Sequence, residues 1–390
     1  MRLIKNLGLN VLLVGASSFV VLLCIEGALR FTSYVRFLPY EGTPQFYYTA
    51  SRDAGYDIAP NFASSTHRFK DGSHVIWSNE LGCFDVPYRD EKKYSLLVGD
   101  SFAWGFTSFE DKWGTHAETL LGERILKCGV AGYGTRQEWV KAKNVLEIHP
   151  NPKRIILSYF SNDKGDDEAF PNSLVYEGKI IKNLSADPTL TYEELEKKLS
   201  QFAYLARQYC MWNEPAHPLL QKTKCYLRKH SIVYLLVQDG IKNVVPVTLL
   251  RRLGIVNEEP VAVEQTDAGE TAHFQNILAF KSLAQKSGAD LIVVLIPTKE
   301  DTYATATTTS YRSVELFLRE QKIEYLNPVV DFRRTAAATS SSLYWKEDLH
   351  FNEKGNRLLG FIVASYLAKR DRNMELVKTI KEQLQSEFNM

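Results

Sequence analysis

Ser101 is the residue most readily assigned chemistry. It lies within the run SLLVGDSFAWG, residues 95 to 105, in which an apolar strand pattern passes directly into Gly99, Asp100 and Ser101. A serine at a strand-to-helix turn can project its hydroxyl over the edge of a sheet. The helix that follows aims backbone N–H groups at developing negative charge. The chemistry would be nucleophilic, with the plain alternative that Gly-Asp-Ser is a turn followed by a helix cap. Three further polar sets fall at predicted strand ends or turns: Gly129 to Gly134, Ser161 to Asp163 and Glu347 to His350.

Other chemistries are disfavoured. The five cysteines have no CxxC spacing and the eight histidines form no HExxH, so neither a structural zinc site nor another metal is expected. The glycines fit neither a phosphate loop nor a dinucleotide fingerprint, and no cofactor is expected. Lys and Arg number 47 against 46 Asp and Glu, which lacks the basic excess of a phosphate-backbone binder, so no nucleic acid partner is expected. The cysteines leave the redox compartment open, and Cys128 reads as a small buried apolar residue.

The elements that must position these residues read as α/β. Compact apolar runs at Tyr94 to Val98, Ile125 to Val130, Ile155 to Phe160, Leu291 to Pro297 and Ile323 to Val330 suit strands covered on both faces. Helical patterns at Trp113 to Leu121 and Trp139 to Leu146 separate several of them. Together they predict a three-layer α/β/α domain around a mainly parallel sheet. A polar insertion at about 164–272 carries helix candidates at Tyr192 to Tyr209 and Cys225 to Val237, with a turn near Pro215 and Pro218. Asn356 to Lys369 and Arg372 to Phe388 read as C-terminal helices.

Near the N-terminus, Val11 to Ile25 carries no formal charge and follows Arg2 and Lys5. The window Leu7 to Leu29 could supply the roughly 20 residues of a bilayer crossing, with Glu26 as the cost. This predicts an N-terminal transmembrane helix acting as an uncleaved signal anchor, with the bulk of the chain outside.

Taken in order, the polar blocks resemble the SGNH hydrolase superfamily, the GDSL esterases and lipases, and in particular membrane-anchored bacterial members. GDSFAWG matches the nucleophile block, GVAGYGT the glycine block, SND the asparagine block and DLHFNEKG the terminal block. The resemblance covers roughly Tyr94 to Lys369 and is weak across the insertion. It implies Ser101 as nucleophile and His350 as general base. Asp348 would orient the imidazole, while the Ser101 and Gly132 N–H groups and the Asn162 amide would hold an oxyanion. The family carboxylate usually lies three residues before the histidine, a position occupied here by Glu347, so Glu347 is the alternative orienter. Lys299 reads as a loop lysine or a contact for an anionic substrate, and Trp104 as a pocket wall. Asp100 and Asp163 read as turn residues, and His67 and His74 are held in reserve as pocket residues.

The expected organisation is an anchor over 1–30, a lead-in segment over 31–92, an SGNH-like catalytic domain over 93–370 and a helical extension over 371–390. The expected activity is an extracytoplasmic serine esterase at the bacterial inner membrane, acting on an acylated small molecule or envelope glycan, with no protein partner named. An O-acyltransferase and a noncatalytic envelope-binding or assembly protein are the alternatives.

Overall fold

The computed structural model describes residues 2–32, 42–89, 93–169, 174–176, 178–181, 223, 226–227, 230–237, 267–304, 309–339 and 342–388. The chain forms two compact units, 1–41 with 197–262 and 42–196 with 263–390. The helix candidate Tyr192 to Tyr209 and the turn at Pro215 and Pro218 lie outside the described residues. Of the candidate Cys225 to Val237, the described residues 226–227, 230 and 232–237 are helical and Ser231 is not.

In the first unit, helix α1 spans Arg2–Leu29. No helix among the described residues is long and apolar enough to cross a membrane. The expected transmembrane helix and signal anchor therefore do not hold. The membrane as partner and the inner-membrane, extracytoplasmic address fall with them, as does the reason for seeking the substrate among envelope glycans. Gly8, Asn10, Gly15, Ser17 and Ser18 dilute the apolar run. Glu26 has protein partners: its carboxylate accepts from the Ser231 hydroxyl at 2.9 Å and from the Ile232 and Val233 N–H groups at 3.1 and 3.0 Å. Burial opposes ionisation of Glu26, yet these bonds hold its carboxyl below the usual range.

The second unit opens with two antiparallel hairpins, β1 (Tyr48–Ser51) with β2 (Gly55–Ile58) and β3 (Ser65–Phe69) with β4 (Gly72–Ile76). The central sheet takes β5 (Ser95–Gly99), β6 (Ile125–Lys127) and β7 (Arg154–Tyr159). A small hairpin, β8 (Leu174–Tyr176) with β9 (Lys179–Ile181), intervenes. Strands β10 (Asp290–Leu295) and β11 (Glu324–Leu326) then complete a five-stranded parallel sheet in the order β11-β10-β7-β5-β6. All five expected strands form. The last expected run is cut short at Leu326, because Pro328 caps the helix Val329–Ala338 and ends the extended backbone.

Alternation along the strands divides the core in two. Leu97, Ile156, Ile292 and Val294 face Trp113, Phe332 and Leu358, while Leu96, Val98, Leu157 and Val293 face Val145, Ile277 and Leu318. The first face is covered by helices Trp113–Leu121 and Glu353–Arg370, and the second by Thr135–Ile148 and Asp267–Lys286. Apolar burial on both faces makes the expected three-layer arrangement. The strands order the site as well. Ser101 follows β5, Gly132 follows β6, Asn162 follows β7 and Lys299 follows β10, so all four lie at the carboxyl edge of one parallel sheet.

Candidate active site

Ser101 begins a helix of a single turn, Ser101–Trp104. Asp100 caps it by accepting the Phe102 N–H at 2.9 Å. Ser101 is nearly buried, at 9% exposure, and its Oγ lies 2.7 Å from His350 Nε2. On the other side of the ring, His350 Nδ1 meets Asp348 Oδ1, which also accepts the His350 backbone N–H at 2.9 Å. A serine, an imidazole and a carboxylate are thus in series. Burial opposes ionisation of Asp348, but the His350 hydrogen bond and charge outweigh it and keep the carboxyl below the usual range.

Of the two possible orienters, Asp348 is the one in contact. Glu347 points its backbone N–H at Asp71. The imidazole is also fixed by aromatic packing, with the Phe106 ring stacked on it at 3.8 Å between centroids. Trp345 Nε1 donates to the Phe106 carbonyl at 3.0 Å, so the residue that stacks on the histidine is itself tied to the histidine loop.

The glycine turn is shaped by two constraints. Gly129 packs so tightly that a Cβ there would come within 2.6 Å of the Ala103 side chain. Gly132 has φ +78°, in the left-handed region that favours glycine. Asn162 donates one amide N–H to Asp166 at 2.8 Å, and its side chain carries a second.

Several expectations are corrected. Lys299 is half-buried and donates to the carbonyls of Trp345 and Lys346 at 2.8 and 3.3 Å, so it holds the histidine loop instead of standing free in solvent. Trp104 is buried, and its Nε1 donates to the Tyr47 hydroxyl at 2.8 Å within the aromatic cluster of the first hairpins. His67 and His74 pair across β3 and β4 and are buried in the same cluster. Burial lowers them to about 4 and about 3, which keeps both neutral. Asp163 is buried, not a surface turn residue; burial and the neighbouring Glu138 and Asp100 push its carboxyl well up. Asp100 is pushed up to about 6 by burial, against the pull of the Phe102 N–H and of His350.

Sequence reasoning missed three supports. Cys128 forms a disulfide with Cys83, joining the segment after the second hairpin to the strand that leads into the glycine turn. Nothing in the spacing of five cysteines selects this pair. Tyr56 and Asp71 also reach the loops of the site, at the Gly132 carbonyl and the Glu347 N–H.

No family model matches the sequence, and no curated protein matches it. Among solved structures, an acetyl xylan esterase shares 11% identity at a TM-score of 0.35, covering 70% of this chain and 98% of its own. A catalytic mutant of an acetylxylan esterase from Geobacillus stearothermophilus shares 10% at 0.35, covering 70% and 94%. A GDSL-like lipase from Bacteroides thetaiotaomicron shares 10% at 0.32, covering 73% and 92%. The α/β/α arrangement and the Ser101–His350 hydrogen bond are consistent with a hydrolase-type enzyme.

Proposed function

We propose that this chain is a serine esterase of the SGNH type, cleaving carboxylic esters through an acyl intermediate on Ser101. The observation that carries the reading is the continuous contact from Ser101 Oγ through the His350 ring to Asp348. His350 Nε2 takes the serine proton as Oγ attacks the ester carbonyl. Asp348 holds Nδ1 protonated, so that Nε2 is the basic nitrogen, and stabilises the imidazolium that forms. The carbonyl oxygen, now anionic, is met by the N–H groups of Ser101 and Gly132 and by the Asn162 amide. His350 then returns the proton to the departing alkoxide, and water resolves the acyl-serine by the same route in reverse.

The noncatalytic alternative expects Ser101 and His350 to stand apart, and the 2.7 Å contact speaks against it. The reading is tested with a panel of p-nitrophenyl esters and a fluorophosphonate probe on the protein and on Ser101→Ala. The expected result is ester turnover and covalent labelling, both lost in the variant. Equal turnover by the two proteins would remove Ser101 as nucleophile. Acylation of an added alcohol with little free acid would turn the assignment from hydrolysis to acyl transfer.

A further inference from the structure

The first two hairpins, β1–β2 and β3–β4, each send one polar side chain into a different half of the site. Tyr56 on β2 is fully buried, and its hydroxyl lies 3.1 Å from the Ala131 carbonyl and 2.8 Å from that of Gly132. The Ala131 carbonyl and the Gly132 N–H belong to one trans peptide and point in opposite directions. A group that holds the carbonyl therefore aims the N–H. Tyr56 can only donate to two carbonyls, and burial among Tyr48, Asp57 and other groups raises its phenol well above the usual value, keeping that proton in place.

Asp71, in the turn between β3 and β4, performs the matching task on the other side. Its two carboxylate oxygens lie 3.1 and 3.0 Å from the Glu347 N–H, one residue before Asp348. The same hairpin packs Phe69 against Trp345 at 5.3 Å between centroids. Lys299 holds the opposite edge of this loop through the Trp345 and Lys346 carbonyls. The segment that enters the Asp348–His350 loop thus has the Glu347 N–H held by one element and the Trp345 and Lys346 carbonyls by another.

We infer that Tyr56 and Asp71 are positioning residues: Tyr56 aims the Gly132 N–H at the developing oxyanion, and Asp71 sets the Asp348–His350 loop against Ser101. The inference rests on the proposed esterase activity, and the hairpins become part of the catalytic machinery instead of a cover over it. Each residue acts in the transition state and not on the bound ester, so kcat carries the effect while KM does not.

The test uses the full chain with Tyr56→Phe, Asp71→Ala and Asp71→Asn. Rates are taken per active site titrated with the phosphonate, so that any unfolded fraction drops out. Tyr56→Phe and Asp71→Ala are each expected to lower kcat by about tenfold or more at unchanged KM, as small misplacements of reacting groups do. Asp71→Asn keeps one oxygen for the Glu347 N–H and is expected to recover most of the rate. Two magnetic resonance signals read the positions without turnover: the Gly132 amide, expected to shift in Tyr56→Phe only, and the His350 imidazole N–H, expected to broaden in Asp71→Ala only. Unchanged kcat in both variants, or both signals unmoved, overturns the inference. If Ser101→Ala is as active as the parent, the esterase assignment fails on its own, and the two signals still decide whether the hairpins hold these groups.

Discussion

The two partners in the Ser101–His350 contact are held by different means. Ser101 is positioned locally. It follows a strand bonded on both edges, by β6 and by β7, and its turn is closed by the Phe102 N–H to Asp100 and the Gly105 N–H to the Ser101 carbonyl at 2.8 Å. His350 sits in irregular chain between Tyr344 and Phe351, closed by the Trp345 N–H to the His350 carbonyl at 3.0 Å. Its tethers come from Lys299, Phe106 and Asp71, which are 46, 239 and 276 residues from the groups they hold. A backbone ladder and the cap of the adjacent Asp100 place the nucleophile from within its own stretch of chain. The base depends on particular side chains that only a folded chain brings near.

If that contrast is correct, the histidine loop is where single side chains matter most. Asp348→Asn is expected to reduce kcat/KM by about 10⁴-fold, since the amide cannot hold the productive tautomer. Glu347→Gln should stay within about twofold, the scatter of a surface substitution. Steady-state kinetics on one ester distinguishes them, and a larger loss in Glu347→Gln would reverse the assignment of the orienter.

The next effect tests whether the nucleophile side is as self-sufficient as its ladder suggests. Cys83 and Cys128 close a loop across a separation of 45 residues, so Cys83→Ser with Cys128→Ser is expected to cost about 4 kcal/mol of stability by the chain-entropy argument. Denaturant unfolding reads that loss. Activity per titrated site should persist, because β5 and its turn do not need the bridge.

Acid should reach the hairpins that support the histidine loop. An unfolded histidine takes a proton near 6.5, while burial holds folded His67 unprotonated down to about 4. The unfolded chain therefore binds more protons between those values, and stability complete above 6.5 declines as the pH falls toward 4. At pH 4 the loss from His67 is about 3 kcal/mol, and His67→Phe should remove most of it in melts run from pH 7 to pH 4.

The smallest expected effect lies beneath the nucleophile turn. Both Glu138 carboxyl oxygens are buried without a hydrogen-bond partner, and burial together with Asp100 and other acids pushes its carboxyl well up. The folded chain keeps this proton where the unfolded chain gives it up, so stability is lost as the pH rises past the ordinary glutamate range. Glu138→Gln should gain about 1 kcal/mol at pH 8, with the gain fading toward pH 4.

The sheet was legible because its strands are short apolar runs whose alternating side chains must be covered twice, a property written in ten or fewer adjacent residues. Ser101 was legible for the same reason, since strand, glycine and serine are contiguous. The site around His350 was legible only through the order of its blocks. The role of Lys299 was misread because a lysine after a strand looks solvated until the loop that it holds is brought to it. Trp104 and Asp163 were misread for a related reason: their burial comes from chain segments distant in sequence. The N-terminal run was overread as an anchor because a window of uncharged residues does not record what Glu26 binds.

By itself, then, the sequence determined the layer architecture, the strand that leads into Ser101 and the set of polar residues from which a site could be drawn. These follow from local periodicity and from the backbone geometry that it imposes. The tertiary structure alone decided that Asp348 and not Glu347 meets the imidazole, that Cys128 pairs with Cys83, and that Tyr56 and Asp71 reach the site. Each of these is a contact between residues far apart in the chain, selected by packing and hydrogen-bond geometry that no local pattern contains.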